Sequence, residues 1–110
     1  MWTAISGDAV VCVEANNKVF VNNQRVYLTL KEYQFLRCVA SSNGATVTKQ
    51  MFAAGMYPSG VTPDLEVLKV FACKIRGKLE KIHQDAPAVL KTIRGQGYAF
   101  GERIPALSEA

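Results

Sequence analysis

The sequence predicts an α+β domain in which an antiparallel sheet, three helices and a C-terminal β-hairpin follow one another. Three observations predict it: valines at period two between asparagine dipeptides in the first 28 residues, threonines at three helix starts, and a hairpin bracketed by glycines near residues 95–97.

Val11 and Val13, then Val19 and Val21, alternate as strand residues do, and Val26 with Leu28 closes a third strand. Asn16-Asn17 and Asn22-Asn23 supply the turns, because asparagine tolerates positive φ. Thr29-Leu30-Lys31-Glu32 reads as a capping box, with the threonine hydroxyl on a first-turn amide and the glutamate reaching back. The helix it opens carries Tyr33, Phe35, Leu36, Val39 and Ala40, and Ser41-Ser42-Asn43-Gly44 ends it. Thr48 caps a second helix with Met51, Phe52 and Ala54 ahead of Gly55, and Gly55 to Thr62 is a loop. Thr62-Pro63-Asp64 starts the third helix, with an N-cap, a proline at the first helical position and an acid near the positive end of the dipole. Asp85-Ala86-Pro87 breaks the chain, and Val89 to Phe100 forms the hairpin, with Tyr98 and Phe100 toward the core.

Composition narrows the function. At 110 residues with 49% hydrophobic content the chain makes one domain with a core of its own. Its 20% charged residues exclude disorder as the main state. No apolar run approaches the roughly 18 residues of a membrane span, and Met1 to Ser6 lacks the basic start of a signal peptide, so the expected location is cytoplasmic, with no membrane partner. Cys12, Cys38 and Cys73 are scattered and form no C-x-x-C pair, and His83, expected at the surface, is the single histidine. Neither a disulfide framework nor a metal site is expected. No Ser-His-Asp context, H-E-x-x-H or phosphate loop occurs, and the glycines of the hairpin tip open no helix, so neither an enzyme nor a cofactor is expected.

What remains is binding, and the charge says where. Residues 69–94 hold seven basic and two acidic side chains, a net +5, while the rest of the chain sums to −1. A local cationic field on a compact domain attracts a polyanion such as nucleic acid. At 100° per residue, Leu65, Leu68, Ala72, Ile75 and Leu79 of the third helix form the buried stripe. Opposite lie Glu66, Val70, Cys73 and Gly77, bordered by Lys74 and Lys81 on one side and Lys69 and Arg76 on the other. A bare centre between basic borders suits a helix in a DNA major groove, the centre at base edges and the borders at the phosphates. In the hairpin, Thr92 and Arg94 share a face, and an arginine on a β-ribbon beside such a helix can enter the adjacent minor groove.

Three motifs together resemble the winged helix-turn-helix effector domain of the OmpR/PhoB family of bacterial response regulators. They are Leu28-Thr29-x-x-Glu32-Tyr33, Val70-Phe71-Ala72-Cys73-Lys74-Ile75-Arg76-Gly77-Lys78-Leu79, and Thr92-Ile93-Arg94-Gly95-Gln96-Gly97-Tyr98. The resemblance runs from about Val11 to Phe100, and within the family the Leu28 to Gln34 and Val70 to Arg76 runs are most similar to CtrA-type regulators. It implies a DNA-binding regulator of transcription from a two-component system. It places Val70 and Lys74 in the major groove, Arg76 on a phosphate, and Thr92 with Arg94 at the wing contacts. It further implies contact with RNA polymerase through the loop 55–63 and head-to-tail pairing on direct repeats. The chain departs from the family at Glu66, where many relatives carry a phosphate-binding arginine, at Lys69, where some carry aspartate, and at Gly77, commonly basic. The family's receiver domain has no counterpart in these residues, so phosphorylation control is not part of the expectation.

The expected organisation is an N-terminal extension at 1–8, a winged-helix DNA-binding domain at 9–101 and a C-terminal tail at 102–110. The expected DNA-binding residues are Glu66, Lys69, Val70, Cys73, Lys74, Arg76, Lys81, Thr92 and Arg94, with Val70 and Glu66 discriminating bases and a redox role of Cys73 conceivable. The alternative, suggested by Glu66 and Gly77, is a winged-helix protein-interaction module that has lost DNA binding.

Overall fold

The computed structural model describes residues 1–57, 60 and 62–101. A four-stranded antiparallel sheet opens the chain in the order β1 (Trp2–Ser6), β2 (Ala9–Val13), β3 (Val19–Val21) and β4 (Gln24–Val26). Then come α1 (Leu30–Ala40), a short β5 (Val47–Thr48), α2 (Lys49–Met56) and α3 (Leu65–Glu80). A 3₁₀ turn at Ala86–Val89 leads into the hairpin of β6 (Leu90–Ile93) and β7 (Gly97–Phe100), and β7 lies between β5 and β6 in a second sheet. This is the α+β, winged-helix arrangement the sequence predicts.

The valine alternation has the expected consequence: Val11 pairs with Val21 and Val13 with Val19, and all four are buried. Asn17, Asn22 and Asn23 take positive φ at the turns. The sheet has four strands where three were expected. Residues 1–8 are not an extension, because Trp2 to Ser6 pairs along Ala9 to Val13, and Arg37 of α1 lies 5.8 Å from the Trp2 ring. The strand expected to close at Leu28 is Gln24–Val26, and Leu28 lies beyond it. The tail at 102–110 lies outside the described residues.

The capping box at Thr29 is formed in both directions, with the hydroxyl accepting from the Glu32 amide at 3.2 Å and Glu32 Oε1 accepting from the Thr29 amide at 3.0 Å. Thr48 caps α2 through the Met51 amide. The inward side of α2 is Phe52, Ala53 and Met56, while Met51 and Ala54 face outward, and the helix continues through Gly55 to Met56. The N-cap of α3 is Asp64, whose Oδ1 accepts from the Val67 amide at 3.0 Å, so Pro63 precedes the helix instead of opening it.

Phe35 joins the layers. It stacks on Phe52 with centroids 4.5 Å apart and meets the Tyr98 ring edge-on at 5.3 Å, which fastens α1, α2 and the hairpin around one point. Leu68, Ala72, Ile75 and Leu79 are each 0% exposed and anchor α3 on this core. Leu65, the expected first member of that stripe, is 42% exposed because it begins the helix, beyond the edge of the core. Gly97 sits where β7 crosses β5, and a Cβ there would overlap the Val47 carbonyl. Its absence allows the two strands to pair.

Candidate nucleic-acid interface

With its apolar stripe fixed inward, α3 must present the opposite face to solvent. Glu66, Lys69, Val70, Cys73, Lys74 and Gly77 are exposed along it, as is Lys81 at its C-cap, and Val70 is 53% exposed. Val70 stands among the lysines of this face.

Two of the basic side chains counted in the cluster are engaged within the protein. Lys78 Nζ lies 2.6 Å from Glu32 Oε1, whose side chain is 4% exposed. Glu32 thus caps α1 and holds α3 with one carboxylate. Burial pushes the Glu32 carboxyl up, but the hydrogen bonds from Lys78 and the Thr29 amide, with the charges of Lys78 and Lys74, bring it below its ordinary value. Arg76 is half-buried and turned toward the hairpin. Its Nε and Nη2 donate to the Leu90 carbonyl at 3.0 and 2.7 Å, and Nη2 donates to Thr92 Oγ1 at 2.8 Å. Among the described residues, Lys69, Lys74, Lys81 and Arg94 make no salt bridge, so their charges are turned to solvent.

The hairpin stands beside the first turns of α3. Leu65, Glu66 and Lys69 on the helix and Thr92, Ile93, Gly95, Gln96, Gly97 and Tyr98 on the hairpin line a cleft of about 140 Å³. Thr92 is exposed on β6, and Arg94 is exposed in the turn that follows it, next to Gly95 at φ 73°. Burial pushes the phenol of Tyr98 up, partly offset by the charge of Arg76. The structure therefore brings Glu66, Lys69 and Thr92 to one cleft and sets Val70, Cys73 and Lys74 along the helix from it.

Sequence reasoning missed the Glu32–Lys78 pair and the Leu90 carbonyl that holds Arg76, both of which join segments far apart in the chain. It also placed His83 at the surface. The ring is half-buried, and Nδ1 accepts from the Asp85 amide at 3.0 Å, while Asp85 Oδ2 accepts from the Asp8 amide at 3.1 Å. The expected polymerase-contacting loop 55–63 is described only in part, since residues 58, 59 and 61 lie outside the described residues. Its start is tied to α1, with Lys31 Nζ donating to the Met56 carbonyl at 2.8 Å and lying 4.6 Å from the Tyr57 ring centroid. Among the described residues, no helix is long and apolar enough to cross a membrane.

Comparison with known proteins bears on the fold and the family. The cell cycle response regulator CtrA of Brucella anthropi is 39% identical over 97 residues, 88% of this chain and 41% of that protein. The chain thus spans less than half the length of this relative. Among solved structures, the Klebsiella pneumoniae RstA DNA-binding domain in complex with the RstA box is similar with a TM-score of 0.68 at 23% identity, over 92% of this chain and 98% of that one. The Thermotoga maritima response regulator DrrB, an OmpR/PhoB homologue, is similar with a TM-score of 0.66 at 26% identity, over 90% of this chain and 44% of that one. Residues 23–100 match the model of a family of transcriptional regulatory domains, not of enzymes. With the capped helices and hairpin that this match spans, the chain belongs to the family described as transcriptional regulatory protein, C terminal.

Proposed function

We propose that this domain binds double-stranded DNA sequence-specifically to regulate transcription, with α3 in the major groove and the hairpin, as a wing, at the adjacent minor groove. The observation that carries this reading is the solvent-facing side of α3, where exposed Val70 and Cys73 lie among Lys69, Lys74 and Lys81 and the hairpin stands beside the helix's first turns. Val70 offers an apolar contact to a thymine methyl and Glu66 an acceptor for cytosine N4, while Cys73 is small enough for close approach. Lys69, Lys74 and Lys81 neutralise phosphates on the two sides, and Arg94 enters the minor groove. Thr92 joins Arg94 at the wing contacts, and the family resemblance puts Arg76 at a phosphate. The family membership supports the reading, as does the crystallisation of the similar RstA domain with its DNA box.

The same reading makes the protein a cytoplasmic response-regulator effector that pairs head-to-tail on direct repeats and meets RNA polymerase through the loop 55–63. Selection of duplexes from a random pool tests it. Recovery of a defined motif, arranged as a direct repeat, is the expected result. Retention of no duplex even at low ionic strength would instead favour a protein-interaction module, for which Glu66 and Gly77 on the outward face would be the reason.

A further inference from the structure

β6 is the outer strand of its sheet, and an outer strand presents carbonyls with no strand partner. Arg76 takes one of them. Its Nε and Nη2 converge on the Leu90 carbonyl at 3.0 and 2.7 Å, and the same Nη2 reaches Thr92 Oγ1, two residues along the strand, at 2.8 Å. The guanidinium also lies 6.0 Å from the Tyr98 ring centroid, on the neighbouring strand. A planar fork held by two acceptors on one strand and flanked by a ring on the next fixes a distance and an angle, which a flexible ammonium cannot do. The Thr92 hydroxyl has a further property. Having accepted from Arg76, it retains its own proton to donate, and Thr92 is exposed.

We infer that Arg76 is a positioning residue: it holds the β6 edge against α3 and turns the Thr92 hydroxyl outward as a donor to a phosphate, instead of acting as an independent phosphate contact. Arg94 follows β6 directly, so the same strut sets where the wing tip meets the minor groove. The inference rests on the DNA-binding reading above and refines it. An independent phosphate contact is a matter of charge, and lysine would substitute for it. A strut is a matter of geometry, and lysine would not.

The test is a salt titration of binding to a duplex recovered from the random pool, using wild type, Arg76→Lys, Arg76→Ala, Thr92→Val, Arg94→Ala and the Arg76→Ala/Arg94→Ala pair. Arg94→Ala alone should flatten the log–log salt slope by about one. In the Arg76→Ala background it should change affinity by less than about twofold, because the wing tip is already displaced. Arg76→Lys should behave like Arg76→Ala, and Thr92→Val should reproduce part of the loss with the fold intact. Wild-type behaviour of Arg76→Lys, together with full addition of the Arg76→Ala and Arg94→Ala losses, would overturn the inference. If Arg76→Ala does not fold, the decision passes to Arg76→Lys and to the effect of Arg94→Ala in a Thr92→Val background, where addition again overturns it. Failure of the wild type to bind any duplex is a different result, and removes the DNA-binding reading itself.

Discussion

Replacing Glu32 by alanine removes two supports at once. The first is the reciprocal half of the α1 capping box, the acceptor 3.0 Å from the Thr29 amide, worth about 1 kcal/mol. The second is the partner of Lys78 at 2.6 Å. Because the Lys78 side chain is 35% exposed, water screens that pair and compensates the lost charge, which places it near the low end for charged hydrogen bonds, about 1–2 kcal/mol. The expected loss is about 2–3 kcal/mol at neutral pH, and for a domain of this size about 10–20 °C in Tm. The pH dependence isolates the part that requires the carboxylate, to which Lys78 and the Thr29 amide both contribute. The folded state holds the Glu32 carboxyl below its ordinary value of 4.5, so the stability from ionisation is present above the unfolded value and disappears as pH falls through the folded one. Urea unfolding of wild type and Glu32→Ala, stepped from about pH 7 down past the folded value, should show the difference between them shrink as the carboxylate is protonated. A difference that stays constant across that range would refute the ion pair's contribution, and a neutral-pH loss below about 0.5 kcal/mol would refute both.

Other substitutions test the scaffold and the exposed face. Gly97→Ala should destabilise by about 1–3 kcal/mol, since its Cβ meets the Val47 carbonyl, and chemical denaturation would show it; unchanged stability would mean the β5–β7 crossing is looser than described. Gly77→Ala should do the opposite, raising stability by about 1 kcal/mol, because a Cβ there meets nothing within 4 Å; a lower melting temperature would contradict that. Alkylation followed by mass spectrometry should modify Cys73, which is exposed, faster than the half-buried Cys12 and Cys38, and bound duplex should protect Cys73 selectively. Equal rates at Cys73 with and without duplex would place the DNA elsewhere.

Much of the architecture is legible in the sequence because it is local. The Thr29 box, the asparagine turns and the buried stripe from Leu68 to Leu79 each depend on residues within a few positions of one another, where capping, φ preference and helical periodicity act. β1 escapes such reading for a physical reason. Its fully buried residues are the small Ala4 and Ser6, with Trp2 partly buried against the core at the strand's start, while its large Ile5 is 59% exposed, so side-chain size does not track burial along the strand. β5 is two residues long and exists through its pairing with β7. Leu65 and Met51 fit the helical period yet stand outside the core, which periodicity cannot reveal at a helix end or on a short helix.

The candidate site shows the same division. Helical geometry places Val70, Cys73 and Lys74 outward from the spacing alone, and burial agrees. A count of charges, however, treats all seven basic residues of the cluster alike. Lys78 is paired with a carboxylate 46 positions away, and Arg76 is bound to a carbonyl 14 positions away. These contacts depend on tertiary packing, and they reduce the freely presented cations to fewer than composition implies.

That reduction sets the salt dependence expected of DNA binding. Lys69, Lys74, Lys81 and Arg94 are the four cations proposed to meet phosphate or groove, so one domain on a duplex should show a log–log salt slope of roughly −3 to −4. Lys74→Ala should make that slope shallower by about one while leaving the melting temperature within about 2 °C of wild type. A slope near zero, or a Lys74→Ala variant indistinguishable from wild type across the titration, would contradict the claim that this face of α3 lies against DNA.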